Sequence, residues 1–324
     1  MKIIKCLKKE EYKNLRAELG SGYSGCVTAL GFFDGVHLAH RRLLSEAKAL
    51  AEGAGLPLAV FTFIGDNGKI KSGSPRLYKD EQKLKLLSEC RADIAILCDF
   101  DAVSDLTEEQ FVGELLISSL ETRVAVCGFN FRFGKGAVAG AADLERLMRE
   151  CGGSATVIPE FIYDGEAVSS TRIRALLEGA DMRSAGLLLG KPYFLFGKVS
   201  HGNGMGTSLG IPTVNTDIDK ALFSPPRGVY ASVCEVGGSL FPSLTNVGLC
   251  PTFGERALHA ETFILDFDGN LYGTDLRVYL LDFLREEKVF SDEKELIKQI
   301  NVDIERAKSL LKEIKWQEIG LSLQ

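Results

Sequence analysis

The chain has 324 residues, which is room for two domains at roughly 150 residues each. Its 38 Lys+Arg against 44 Asp+Glu give a net charge of −6. That excludes a protein whose main work is coating nucleic acid or an anionic membrane, because both need positive faces. Hydrophobic residues at 45% and charged residues at 25% are globular proportions and exclude wholesale disorder. No apolar run approaches the roughly 18–20 residues that cross a bilayer, so no membrane partner is expected. Met1–Glu10 is basic and amphipathic but lacks an apolar core and a small-residue cleavage site, so no signal peptide is expected.

The eight cysteines show no C-x-x-C spacing and there are four histidines, which argues against a thiolate zinc site. Cysteines inside apolar runs, such as Cys127, read as small buried hydrophobes of a reducing compartment, the cytoplasm.

In chain order, Cys26–Leu30 reads as a buried strand, His40–Gly53 as a helix and Leu58–Phe63 as a strand. Asp80–Glu89 reads as an amphipathic helix with Leu84 and Leu87 on one side, and Asp93–Cys98 as a strand. Thr107 caps a helix with Phe111, Leu115 and Leu116 on its apolar face. Arg123–Cys127, Asp143–Glu150 and Ala155–Ile158 follow as strand, helix and strand. This alternation implies an α/β domain, a parallel sheet with helices on both faces. Ligands of such sheets sit beyond the carboxyl ends of the strands, here the loops after Leu30, Phe63 and Cys127.

Ser170–Glu178 and Asp181–Leu189 read as two helices. Beyond Gly190 the chain turns to short alternating segments. Val229–Val236, Leu244–Val247, Glu261–Phe267 and Leu276–Leu284 read as strands of a small antiparallel barrel. Asp292–Ile314 is a closing helix whose stripe is Leu296, Ile300, Ile304, Ala307 and Leu311. The boundary falls at about residue 188, giving domains 1–188 and 189–324.

Five segments carry chemistry. Gly31-Phe32-Phe33-Asp34-Gly35-Val36-His37-Leu38-Ala39-His40 joins a strand to a helix. His37 and His40 share a helical face, with Cβ atoms roughly 5–6 Å apart. There they can donate to a phosphate whose charge grows during displacement, beside backbone N–H groups that favour an anion. The alternative is a capped helix with two surface histidines. Val168-Ser169-Ser170-Thr171-Arg172-Ile173-Arg174 is a helix start or, equally, hydroxyls and an arginine fork for phosphates. Gly128-Phe129-Asn130-Phe131-Arg132-Phe133-Gly134-Lys135 is not a Walker A loop. Its alternating phenylalanines are core or a platform for an aromatic ring.

Gly202-Asn203-Gly204-Met205-Gly206-Thr207-Ser208-Leu209-Gly210 is a flexible hairpin or a backbone cradle for phosphate. It leads into Pro212-Thr213-Val214-Asn215, read as a rigid turn with two oxygen donors suited to Mg²⁺. Glu261 heads a strand and by alternation shares a face with Phe263 and Leu265. A carboxylate on an apolar face is costly unless used, and it could take a proton from a hydroxyl nucleophile. The alternative is an edge-strand carboxylate in solvent.

These motifs, in this order, resemble the bacterial bifunctional riboflavin kinase/FMN adenylyltransferase family. The first half resembles its His-x-x-His nucleotidylyltransferase module. The second half resembles its kinase module through Leu209–Asn215, Gly228–Ala231, Asn246–Gly248, the Glu261 strand, Leu271–Gly273 and Leu284–Arg285. The resemblance implies a Rossmann-like nucleotidylyltransferase domain followed by a small β-barrel with a C-terminal helix. It implies that ATP is gripped at Gly31, Phe33, Asp34, Gly35, His37, His40, Asn130, Ser170, Thr171 and Arg174, where FMN is adenylylated to FAD with loss of pyrophosphate. In the second domain it implies phosphates under Gly202, Gly204, Gly206 and Gly210, Mg²⁺ at Thr213 and Asn215, and Glu261 as the base for riboflavin. Phe131 and Arg285 would touch flavin.

Two departures stand out in the first half. Ala39 replaces a glycine, and the family's Thr-Phe-x-Pro-His-Pro becomes Thr62-Phe63-Ile64-Gly65-Asp66-Asn67. In the second half Thr207 stands where a basic residue is usual. A kinase-only enzyme is therefore a second reading, and a flavin- or nucleotide-sensing protein a third.

Overall fold

The computed structural model describes residues 1–64, 74–200, 210–252 and 255–314, with side chains described outside 250–257. The chain divides into two compact units, Met1–Ser169 and Ser170–Gln324.

The first unit is built on β1 (Lys2–Cys6), β2 (Cys26–Leu30), β3 (Leu58–Phe63), β4 (Ile94–Cys98), β5 (Thr122–Gly128) and, after the short pair β6 (Arg132–Phe133) and β7 (Ala139–Gly140), β8 (Ser154–Ile158). The sheet order is β1-β4-β3-β2-β5-β8. Every pairing in it is parallel. Helix α1 (Leu15–Leu19) precedes β2, and α2 (Leu38–Ala54) and α3 (Asp80–Glu89) carry the crossovers on from β2 and β3. Short α4 (Phe100–Val103) follows β4, and α5 (Glu108–Gln110) runs into a π-helical segment, Phe111–Ser119. Helix α6 (Ala141–Glu150) leads to β8.

The strands β2 and β4 are buried along their whole length, as both-sided burial between helices requires. The chain runs outward from β2 through β3 to β4, then restarts on the other side at β5. The switch point therefore lies between the carboxyl ends of β2 and β5.

Sequence periodicity missed β1, whose Lys-Ile-Ile-Lys-Cys pattern is that of a half-exposed edge strand with Ile4 and Cys6 inward. It also misjudged α3. Gln82, Lys83, Leu86 and Leu87 face inward, and Leu84 is only partly covered. Lys83 can lie inward because Asp80, the Phe63 carbonyl and the Thr62 hydroxyl receive its ammonium.

The second unit opens with α7 (Ser170–Glu178) and α8 (Met182–Leu189), which follow the short hairpin β9 (Ile162–Tyr163) and β10 (Glu166–Ala167) of the first. Asp181 caps α8 by accepting from the Ser184 N–H at 3.0 Å. Then come β11 (Phe194–Ser200), β12 (Thr213–Asp217), β13 (Gly228–Val236), β14 (Ser239–Thr252), β15 (Glu255–Ile264) and β16 (Asp275–Arg285), closed into a barrel in the order β11-β12-β15-β14-β13-β16. The C-terminal helix, Glu293–Glu313, is capped by Asp292 and lays Ile304 and Ala307, with Ile300 and Leu310 beside them, against the outer face of β13 and its neighbours.

Three strand expectations change. Thr213–Asp217 is a paired strand rather than a turn, and the unanticipated β11 closes the barrel. Strand β15 stops at Ile264, before Phe267, because Asp266 takes a left-handed φ of 54°.

The inward face of the barrel is not purely apolar. Ser232 is 2.8 Å from Ser243 and 2.7 Å from Thr245, and Thr245 is 3.0 Å from Thr262. All four are buried and each hydroxyl finds its partner in another, as low-dielectric burial requires.

Candidate functional sites

At the first unit's switch point, the link from β2 to α2 is a tight turn. Phe33 (φ 50°), Gly35 (φ 83°) and Val36 (φ 44°) all take left-handed backbone. For a β-branched valine this is strained, and such strain is held only where surrounding packing over-determines it. Phe33 and Val36 are fully buried. A side chain at Gly31 would meet the Phe33 ring at 3.0 Å, so the glycine permits the turn.

The turn ends on His37, the N-cap of α2, whose Nδ1 faces the His40 N–H at 3.4 Å. His37 and His40 lie stacked, centroids 3.6 Å apart, and the Phe33 ring meets His40 edge-on at 5.2 Å. Burial, then His37, then Lys83 hold the His40 imidazole well below its usual pKa, so it is neutral at neutral pH. The His40 Nδ1 is buried with no partner among the described residues.

Asp34 accepts the Leu77 N–H at 3.0 Å, tying the turn to the segment before α3. Behind it, Arg76 donates to Asp80 at 2.7 Å, and Lys83 donates to the carbonyl of Phe63 at 2.5 Å. Thr62 donates to the Phe32 carbonyl at 2.9 Å. Burial pushes the Lys83 ammonium down to about 8. These groups clamp the His turn from below.

A cavity of about 360 Å³ opens at the carboxyl ends of β2, β3, β4 and β5. Gly31, Phe33, His40, Asn130 and Phe131 line it, so five of the anticipated residues come together there. Its walls are aromatic. Phe131 stacks on Phe133 at 5.8 Å, Phe133 meets Phe111 at 5.2 Å, and Phe63 meets Phe100 edge-on at 5.5 Å. Such a slot fits a planar ring. Phe111 reaches it from the π-helical turn, a geometry that carries no sequence signature. Gly65–Asn67 lie outside the described residues. Ser170 opens α7, where Arg174 is buried and Thr171 is exposed.

In the second unit, register builds the site. Asn215 on β12, Glu261 on β15 and Asn246 on β14 form one rung across three strands. Thr213, Phe263 and Leu244 form the rung on one side, and Asp217, His259 and Gly248 the rung on the other. Strand β15 is interior to the sheet, which removes the edge-strand reading of Glu261. Its side chain is nonetheless exposed, because the face opens to a cavity of about 350 Å³. The desolvation cost anticipated for it therefore does not arise, and its chemistry rests on position.

Thr213, Asn246, Glu261, Phe263 and Arg285 line this cavity, along with Ile300 of the C-terminal helix. Asn215 is buried beside it. Arg285 points into an ion pair, its Nε and Nη2 at 2.9 and 2.8 Å from Asp303 Oδ2. Thr213 and Asn215 supply a hydroxyl and an amide oxygen, hard donors that suit Mg²⁺. Gly210 is exposed with φ 75°, and Gly202, Gly204 and Gly206 lie outside the described residues.

The sequence reading missed Lys83, Asn246, Glu287 and Asp303. Lys83 and Asp303 each interrupt an apolar helical stripe, at 83-86-87 and 300-303-304-307. A charge at an inward position was the available signal.

Comparison with known proteins now places the two units. Residues 21–172 match the FAD synthetase family model, and residues 189–311 match the riboflavin kinase model. Each unit thus falls in an enzyme family of its own. Over 291 residues the chain is 33% identical to the bifunctional riboflavin kinase/FMN adenylyltransferase of Bacillus subtilis, covering 87% of this chain and 91% of that one. Over 284 residues it is 33% identical to the protein of the same name from Escherichia coli K12, covering 86% and 90%. The chain belongs to the bifunctional riboflavin kinase/FMN adenylyltransferase family. A solved structure described as a macrolide-efflux protein from Streptococcus pneumoniae shares the fold, with a TM-score of 0.82 and 27% identity over 94% of this chain and 99% of that one. Among the described residues of this chain, no helix is long and apolar enough to cross a membrane.

Proposed function

We propose that the chain makes FAD in two ATP-dependent steps, with the division of labour near residue 188. The second domain phosphorylates riboflavin to FMN, and the first adenylylates FMN and releases pyrophosphate. The observation that carries this is the pair of chemically distinct cavities, one in each unit, each inside its own family match.

In the barrel, Glu261 takes the proton of the ribityl 5′-hydroxyl as that oxygen attacks the terminal phosphorus of ATP, whose bond to the bridging oxygen breaks so that ADP leaves. Asn215 and Asn246 flank it in register and set its place on the face. Thr213 and Asn215 would hold the Mg²⁺ that accompanies ATP, which would supply charge neutralisation at the phosphates. Arg285, fixed by Asp303, borders the flavin.

In the first domain, an oxygen of the FMN phosphate attacks the α-phosphorus of ATP and pyrophosphate leaves in line. His37, whose Nδ1 is turned to the His40 N–H, carries its proton on Nε2 and presents it as a donor. Neutral His40 donates beside it, so the pair stabilises growing phosphate charge without adding a full cation. The Gly31–Gly35 turn and Asn130 complete the phosphate grip, and Phe131 faces the flavin ring. The reading places the protein in the cytoplasm, where buried thiols such as Cys26 and Cys127 stay reduced.

Incubation of the purified protein with riboflavin, ATP and Mg²⁺ tests this. FMN followed by FAD and pyrophosphate is expected. FMN alone would support the kinase-only reading that the altered Ile64–Asn67 segment raises, and binding without turnover would make it a sensor.

A further inference from the structure

Glycine at 248 leaves a notch in the catalytic face of the barrel, and a carboxylate fills it. Asn246 and Gly248 alternate onto the same side of β14 as Leu244, the side that faces the cavity. A methyl group at Gly248 would fall on Oε1 of Glu287, and would lie 3.2 Å from the Asn246 amide nitrogen. Glu287 arrives from the segment after β16 and lines the same cavity as Glu261. Its other oxygen is 3.9 Å from Arg227 Nη1, a loose pair that leaves the first oxygen over the notch.

The Gly248 rung lies one repeat from the Glu261 rung, about 6.6–6.8 Å along the strand. The cavity thus holds Glu261 and Glu287 about one repeat apart, with the Asn246 amide on the Glu261 rung beside the notch, while its third carboxylate, Asp303, is taken up by Arg285. An ionised carboxylate is an acceptor only, so a ligand meeting Glu287 must bring donors. Most of the remaining lining is apolar, from Val229, Leu244 and Phe263 to Phe290 and Ile300, with Thr213, Lys288 and the Arg285–Asp303 pair as its other polar groups. The ligand that fits is flat and apolar at one end, with a short chain of hydroxyls leading to the hydroxyl that reacts.

We infer that Glu287, seated in the Gly248 notch beside Asn246, is a specificity-determining residue that accepts hydrogen bonds from the secondary hydroxyls of the ribityl chain. This rests on the kinase reading of the second domain. Glu261 meets the reacting end of the chain and Glu287 meets its middle, so the polyol is drawn straight across the two rungs and its terminal hydroxyl is placed at the base. No bond to Glu287 changes during the reaction, so its loss falls on substrate binding.

Two variants test this from opposite directions. Glu287→Gln removes the charge and keeps the shape. Gly248→Ala keeps the charge and evicts the carboxylate, and the backbone there tolerates alanine because its φ is not left-handed. Binding of riboflavin and of lumiflavin, which has the same ring and no ribityl chain, is followed by flavin fluorescence alongside kinase kinetics. In both variants the riboflavin affinity is expected to fall about ten- to a hundredfold, the loss of a hydrogen bond to a charged group. Lumiflavin affinity should hold within about twofold. The KM for riboflavin should rise with kcat much less affected, and turnover at saturating riboflavin reports that the barrel is folded.

Equal losses for riboflavin and lumiflavin would overturn the inference, since Glu287 would then read the ring. Unchanged riboflavin affinity in both variants would overturn it while leaving the kinase reading intact. Failure of the unaltered protein to bind riboflavin would remove the kinase reading and this inference together.

Discussion

The two cavities are assembled by opposite strategies. The first stands at the switch point of a parallel sheet and is made of segments beyond the strand ends: a strained turn, a helix cap, a π-helical segment and an aromatic loop. The second stands on the strands themselves, where hydrogen-bond register sets Asn215, Glu261 and Asn246 side by side. A loop-built site can exclude water and close on a large ligand, but each part must be held by something behind it. The Arg76–Asp80–Lys83 cluster does this beneath the His turn. A register-built site needs little such support, because closing the barrel fixes every rung.

The sharpest way to break the contrast is to remove each site's central group and follow both products. Glu261→Ala should lower FMN formation from riboflavin by about a thousandfold, the scale of a lost general base, while FAD formation from supplied FMN continues. His40→Ala should lower FAD formation by about a hundredfold, the scale of a lost transition-state donor, and spare FMN formation. Parallel loss of both activities in either variant, measured by chromatography of the flavin products, would show that the cavities do not work separately.

A third substitution probes what little support the register-built site has. Asp303 is buried and holds Arg285 to the C-terminal helix. Asp303→Ala strands that guanidinium and should cost about 3 kcal/mol of barrel stability, read from denaturant unfolding. The smallest effect concerns pH. The folded state holds His40 neutral, whereas the unfolded chain takes up a proton near the ordinary value of 6.5. Stability of the first unit should therefore be steady above that value and decline as pH falls below it. His40→Gln should flatten the decline in melting curves taken between about pH 7.5 and 5.

The sequence was legible where pattern and structure share a period. Cys26–Leu30 and Leu58–Phe63 are largely apolar runs and are the strands β2 and β3, and the loops after Leu30 and Cys127 border the aromatic cavity, as does Phe63 itself. It was less legible where function is carried by a partner far along the chain. Nothing near Glu261 announces that Asn246 stands opposite it, because pairing across β14 and β15 is a property of the closed sheet. Pro212–Asn215 read as a rigid turn because of its proline, yet proline is well tolerated just before a strand begins, here Thr213–Asp217. Lys83 was overlooked because a lysine on an amphipathic helix normally faces water. Here Asp80 and the end of β3 make an inward position tenable.

The chain of Ser232, Ser243, Thr245 and Thr262 inside the barrel restricts how this protein can vary over time. Each hydroxyl is the answer to another's need, so changing one to an aliphatic residue strands its neighbour in a dry interior at about 1–3 kcal/mol. Replacing all of them together with apolar groups of like shape would be far milder. Lineages that depart from this arrangement should do so in linked sets drawn from β13, β14 and β15, leaving a signature of joint inheritance.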